Sequence, residues 1–408
     1  MRIAFVYDAL VPYCTGGAER RYHELATRLA ERHEVHYVTW RYWGPEATIV
    51  RDGITLHGVG APREFYGADG RRTVREMVAF ALRVPRVLAK LDVDVVDVSA
   101  TPYLPLYGAW LGTRFSGAPL VATWHEFWGE HWATYLADRP VVARLARLAE
   151  ASARPFADRR VAVSAFTARR LTSDGTGRGI DVVPNGVDLA ALDGVVPSAH
   201  SDVLFVGRLI AEKRVDLLLR AIAAVVPNRP RMRCTVVGDG PERDALGSLA
   251  ARLGIERHVK FLGRVDDGEV PRLMAGAKLL VLPSAREGYG IAVVEAQAAG
   301  LVPIVARSEL SAAPDLVRDG VDGVIVQPEG AAIADAIDRL LADPAERRRM
   351  AAAARLVAAT RGWEDRVADM ERVYAELIEQ RGSRKARGAR ALADPRGAVE
   401  PDTAGTLR

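Results

Sequence analysis

Residues 201–226 read SDVLFVGRLIAEKRVDLLLRAIAAVV. SDVLFVG (201–207) is a short apolar run closing on glycine, and a helical pattern, RVDLLLRAIAAVV, takes over after a polar loop. Strand, loop and helix in this order begin a parallel α/β unit. The position of the stretch matters most, because a complete unit of the same kind precedes it. Upstream, RIAFVYD (2–8), EVHYVTW (34–40), ITLHGV (54–59), VDVVDVS (93–99), PLVATWH (119–125) and RRVAVS (159–164) read as strands. Helical patterns lie between them, such as AERRYHELATRLAER (18–32) and TVREMVAFALRVPRVLAKL (73–91). The alternation restarts at 201 and continues through MRCTVVG (232–238), HVKFLG (258–263), KLLVLPS (278–284), VPIVA (302–306) and GVIVQ (323–327).

A chain of 408 residues exceeds one ordinary core and suits two domains. The expected fold class is α/β, with two doubly wound, Rossmann-like parallel-sheet domains facing a cleft. The connection is NGVDLAALDGVVPSAHS (185–201), with Gly, Pro and Asp at its turns. Residues 1–185 are assigned to the first domain and 186–362 to the second. The final helical pattern, GWEDRVADMERVYAEL (362–377), is compatible with either.

The chain is 49% hydrophobic and 26% charged, a soluble globular profile. No run of about 18 uncharged apolar residues occurs, so no transmembrane helix is expected. Asp8 interrupts the first apolar run, which reads as a strand rather than a signal peptide. Cys14 and Cys234 are far apart and suggest neither a disulfide framework nor a metal knuckle, which points to the cytoplasm. Residues 1–185 net +4, residues 186–380 net −4, and residues 381–408 net +4. The last stretch has few large apolar residues and is read as a disordered basic tail. RPVVARLARLAEASARPFADRR (139–160) is basic and partly amphipathic, which raises peripheral contact with an anionic membrane. A helix packed on its own sheet with a solvated arginine face is the plainer account. No nucleic-acid partner is expected.

Chemistry is expected on the loops that end strands. In REGYGIAVVEA (286–296), Gly288 and Gly290 disfavour helix before Ile291, by about 1 kcal/mol each relative to alanine. Glu287 thus falls on a loop and Glu295 on the helix behind it. The amides of Gly288, Tyr289, Gly290 and Ile291 become unpaired donors at the positive end of a helix, a seat for an anion. Two carboxylates beside such a seat suit hydroxyl groups carried by the anion, as in a sugar nucleotide. Alternatively, Glu295 answers the helix dipole and Glu287 is a solvated loop charge. Arg208 and Lys213 follow the strand at 201–207, and an arginine fork with a lysine point charge suits a diphosphate. GDGPER (238–243) is a third such loop, lacking the third glycine of a dinucleotide fingerprint. Gly16 and Gly17 open an amide-rich turn after the first strand. TWHEFWGEHW (123–132) sets His125 and His131 six apart, which is not the HExxH zinc spacing. Its tryptophans serve either an acceptor pocket or the packing face of a following helix.

Taken in order, GGAE, WHE, VPNGVD, GR…EK, VGDGPE, FLG and EGYGIAVVE resemble the retaining GT-B glycosyltransferases of the family 4 type. The resemblance spans roughly residues 1–380. It implies that Arg208 and Lys213 grip the donor diphosphate, and that Glu287 holds hydroxyls of the transferred sugar. Gly288 to Ile291 would meet sugar and phosphate through their amides, and Glu295 would bind the ribose. Gly16 and Gly17 would face the phosphate, and His125 the sugar beside the reacting carbon. Backbone groups near Arg264 and Val265 would read the base. Asn185, Gly186 and Asp188 would form the hinge, and residues 363–380 would cross back onto the first domain. The family commonly has phenylalanine where Tyr289 stands. The implied donor is UDP- or GDP-linked, the acceptor a hydroxyl on a glycan, a lipid-linked sugar or a small glycoside. No cofactor and no metal are called for. Readings from other classes are a nucleotide-sugar binding protein without turnover, a sugar-nucleotide epimerase, or a phosphorylase.

Overall fold

The protein is described from a computed structural model covering residues 1–14, 16–67, 72–172, 179–266 and 268–393, without the side chains of 384–393. The first sheet comprises β1 (Arg2–Val6), β2 (Glu34–Thr39), β3 (Thr48–Arg51), β4 (Ile54–Gly58), β5 (Val95–Ser99), β6 (Leu120–Trp124), β7 (Arg159–Ala162) and β8 (Ile180–Val182). Their order is β3-β4-β2-β1-β5-β6-β7-β8, and only β3 is antiparallel to its neighbour. The central strands are buried along their length because helices cover both faces, which is why they read as unbroken apolar runs. One face packs on the helices Gly17–Ala30 and Trp363–Ala393. The other packs on Val74–Ala81, Val84–Leu88, Leu104–Ser116 and Pro140–Ala153.

The second sheet comprises β9 (Ser201–Val206), β10 (Cys234–Val237), β11 (Val259–Gly263), β12 (Ala277–Leu282), β14 (Val302–Ala306) and β16 (Val324–Val326). It is wholly parallel, in the order β11-β10-β9-β12-β14-β16. Two-residue strands β13 (Arg286–Glu287) and β15 (Leu310–Ser311) pair beside it. Strand order reverses between β1 and β5 in the first sheet, and between β9 and β12 in the second. Ligands of doubly wound sheets enter at such switch points.

The chain leaves the first lobe through residues 185–188 and returns through 361–363. These crossings run side by side, Val187 bridging Gly362 and donating its amide to the Arg361 carbonyl. Gly186 leaves room for Trp363, since a Cβ there would lie 2.7 Å from the indole ring. Fully buried Arg21 donates to the Pro184 carbonyl and to Asn185 Oδ1, at 2.9 and 3.1 Å. Asp188 accepts from the Ala191 amide. The last helix then docks on the first sheet through Asp97, which accepts from Tyr22, Thr123 and Tyr374.

Two expectations change. The helical pattern at 73–91 is two helices, because Pro85 cannot donate within a continuous helix. The last helix runs to Ala393, so residues 381–393 are helical instead of a disordered tail. The remaining tail residues, 394–408, lie outside the described residues. Among the described residues, no helix is long and apolar enough to cross a membrane.

Candidate functional site

Adjacent strands β9 and β12 deliver two loops to one place. After β9 the chain makes a 3₁₀ turn, Ala211–Lys213, then passes through Arg214 at φ 49° into the helix Val215–Val225. After β12, Ala285 donates its amide to the Glu212 carbonyl at 2.8 Å and accepts from Ser308 Oγ at 2.5 Å. The β13–β15 pairing then fixes the backbone of Glu287. Lys213 Nζ consequently lies 2.5 Å from Glu287 Oε1, with both side chains largely buried. Next, Gly290 at φ +104°, a region that favours glycine, starts the helix Ile291–Ala299 without any side-chain cap. Among the described residues, the amides of Gly288, Tyr289, Gly290 and Ile291 donate to no other group. A cation and a fan of unpaired amides at a helix N-terminus form an anion site. Tyr289 turns its side chain into the second-lobe core.

The first lobe closes over this loop. A Cβ on Gly288 would collide with the His125 carbonyl oxygen, and Ser164 and Thr167 both donate to the Gly288 carbonyl. Gly16 caps the helix Gly17–Ala30, and a Cβ on Gly17 would sit 3.3 Å from Ile291 Cδ1. The leading turns of two helices, one from each lobe, therefore meet. One turn further on, Arg20 forms an ion pair with Glu295, itself buried. Glu19 folds back beside Gly16 and accepts from Tyr7 Oη at 3.3 Å.

His125 follows β6 and lies against the rings of Tyr7 and Tyr22. Burial, helped by the positive charge of Arg21, pushes its pKa down to about 3. Its buried Nε2 has no partner among the described residues. Beside it, Arg286 ion-pairs with Glu126 and lies over the Trp128 ring. Burial brings Arg286 down to about 9. Trp128 stacks on Trp132 at 4.6 Å, and the residues between them form a 3₁₀ turn, not the start of a long helix.

Lys213, Glu287, the 288–291 amides, Gly17, Glu295 and His125 thus converge on the interlobe gap. Arg208 is apart from the Lys213–Glu287 pair; its guanidinium lies 4.8 Å from the ring centre of Tyr66 on the first lobe. Arg264 is exposed after β11, and Val265 packs on the second-lobe core. Glu126 belongs to the WHE motif read in the sequence, whereas Arg20, Ser164, Thr167 and Arg286 were not singled out there. Arg286, adjacent to Glu287, and Arg20, a turn beyond the glycine pair, carried a positional signal; the others carried none.

Comparison with known proteins identifies the family and the fold. Residues 195–357 match the family described as Glycosyl transferases group 1, and residues 15–191 match Glycosyltransferase Family 4. The chain is 32% identical over 376 residues to a D-inositol 3-phosphate glycosyltransferase of Mycobacterium bovis, covering 86% of this chain and 76% of that one. Among solved structures, sucrose-phosphate synthase from Thermosynechococcus elongatus superposes with a TM-score of 0.78 at 20% identity, covering 93% of this chain and 99% of that one. Anabaena Alr3699/HepE, in complex with UDP and glucose, superposes with a TM-score of 0.72 at 21% identity, covering 92% and 100%.

Proposed function

Since this chain belongs to the family 4 type of GT-B glycosyltransferases and is a glycosyltransferase, we propose that it transfers a sugar from a UDP- or GDP-linked donor to a hydroxyl acceptor, with retention at the anomeric carbon. The observation that carries this reading is Lys213 against Glu287 at the β9/β12 switch point, beneath the unpaired amides of Gly288 to Ile291. The diphosphate would take the place of Glu287 as partner for Lys213 and accept from those amides. Glu287, once released, would hold hydroxyls of the sugar, and Glu295 the ribose. Arg208 would swing from Tyr66 onto the diphosphate, and the loop at Arg264 and Val265 would meet the base. HepE holding UDP and glucose on the same fold supports that donor class.

In the proposed reaction the bond from the anomeric carbon to the diphosphate oxygen breaks, and the acceptor oxygen bonds to the same face. The acceptor proton passes to a departing phosphate oxygen, and the nucleoside diphosphate leaves. Neutral His125 would contact the sugar beside the reacting carbon. Lys213, Arg208 and the amides offset the charge that develops on the leaving group, so the proposal requires no metal. A cytoplasmic location is part of it.

The test begins with thermal stabilisation by a panel of sugar nucleotides. A donor at about 100 times its dissociation constant adds about 2.7 kcal/mol. Transfer by Lys213→Ala should fall about 10²–10³-fold with the fold intact, the usual cost of one preorganised charge-stabilising group. NMR of the product's anomeric proton reads the stereochemistry. No stabilisation by any donor, or near-normal turnover in Lys213→Ala, removes the assignment.

A further inference from the structure

The helix Ala165–Thr172 begins shortly after β7, and its first turn faces the second lobe. Ser164, just ahead of it, accepts the Thr167 amide on Oγ at 2.9 Å, so this hydroxyl caps the helix. A hydroxyl that accepts in this way still has one proton to give. The Gly288 carbonyl of the opposite lobe, 2.8 Å away, takes it. Thr167 Oγ1 lies 3.3 Å from the same carbonyl oxygen and 3.0 Å from Ser164 Oγ. Ser164 and Thr167 are 6% and 0% exposed, so bulk water does not compete for these protons.

The gripped carbonyl is one end of a rigid unit. The peptide joining Gly288 to Tyr289 is planar and trans, so its C=O and N–H point to opposite sides. Holding the oxygen from the first lobe therefore holds the Tyr289 amide, one of the unpaired donors of the anion seat. Left alone this peptide would turn easily, because Gly288 has no Cβ and Gly290, at φ +104°, follows two residues later. A larger residue at 288 cannot supply the stiffness, since its Cβ would strike the His125 carbonyl oxygen. Order in this loop has to come from outside it. Hydrogen bonds to the carbonyl also polarise the peptide and strengthen its N–H as a donor.

We propose that Ser164 and Thr167 are positioning residues for the transfer: their hydroxyls hold the Gly288 carbonyl and so aim the Tyr289 amide at the donor diphosphate. The inference rests on the donor reading given above. Hydroxyls and amide belong to different lobes, so opening the cleft withdraws the grip and loosens the seat. Full support for the leaving group then exists only around an enclosed donor. An aimed amide matters most as negative charge grows on the departing phosphate, so its effect falls on kcat more than on KM. The competing account is that Ser164 only caps its own helix.

Steady-state release of nucleoside diphosphate from the UDP- or GDP-sugar that most stabilises the full chain reads kcat and KM separately. Ser164→Gly removes the hydroxyl but leaves a residue that caps a helix nearly as well. It should melt near the parent, keep the parent's KM for the donor, and lose about tenfold in kcat, the upper range for one uncharged hydrogen bond. Thr167→Val should lose about threefold for its longer contact, and Thr167→Ser, which keeps the hydroxyl, should recover most of that loss. Three outcomes overturn the inference: Ser164→Gly matches the parent in kcat, or KM rises while kcat holds, or melting temperature and rate fall together in both Ser164→Gly and Thr167→Val. A parent that releases nucleoside diphosphate from no donor removes the donor reading and this inference together. An active parent beside an equally active Ser164→Gly removes this inference alone.

Discussion

Arg20, in the leading helix of the first lobe, forms an ion pair with Glu295, in the helix behind the donor-side loop of the second. Glu295 is the carboxylate proposed to hold the ribose, so in the ligand-free protein a side chain of the opposite lobe occupies it. The pair links the lobes and makes closure sensitive to its charge. Arg20→Ala should therefore raise the radius of gyration of the ligand-free protein in small-angle scattering, and Arg20→Lys should raise it less. Identical scattering from all three proteins would mean the pair contributes nothing to closure.

At Gly288 the backbone of the second lobe lies directly against the first. Any side chain there collides with the His125 carbonyl and presses on Glu126 Cγ at 2.7 Å. Each lobe keeps its own core, so Gly288→Ala should leave the melting temperature nearly unchanged. Transfer should drop by at least tenfold, because the amides no longer close on the diphosphate; a misplacement of about 1 Å typically costs about 10²-fold. Parallel loss of melting temperature and activity would point to simple misfolding.

His125 makes stability depend on pH. Its pKa is pushed from 6.5 to about 3 by burial, so the folded protein keeps it neutral while the unfolded chain takes up a proton below about 6.5. The unfolded state binds more protons across that window, and the contribution weakens the fold as pH falls from 6.5 towards 3. The melting temperature of His125→Gln should fall less steeply than that of the parent between pH 6.5 and 4. The transfer rate should show no limb from this imidazole near neutrality.

Tyr374 anchors the last helix by donating to Asp97 Oδ2 at 2.6 Å in a fully buried setting. Tyr374→Phe removes one of the three donors that satisfy this carboxylate. A buried hydrogen bond to a charged group contributes about 1.5–3 kcal/mol, so chemical denaturation should register a loss of that order. Equal stability of the two proteins would show that Tyr22 and Thr123 suffice.

Much of this was legible in the chain itself. Buried parallel strands write themselves as apolar runs, and twelve of the sixteen described strands plus the two-lobed division were readable for that reason; VPIVA at 302–306 coincides with β14. Strands β3 and β8 lie at sheet edges, where burial weakens and the periodic signal fades. Pairs such as β13–β15 are too short to leave a pattern, although they fix Glu287. On the second lobe, Lys213 and Glu287 could be placed because both follow neighbouring strands. Arg20 with Glu295 and Arg286 with Glu126 depend on how two lobes meet, and no spacing within either lobe encodes that. Arg208 illustrates the same limit, since its partner, Tyr66, comes from the other half of the chain.

The paired crossings at Val187 and Gly362 have a mechanical meaning. A single tether would let one half of the molecule pivot and twist freely about the other. Two tethers hydrogen-bonded to each other, with Trp363 wedged against Gly186, leave essentially one axis of swing. In the proposed reaction, donor entry and nucleotide exit would then share one arc in opposite directions, with that joint as its pivot.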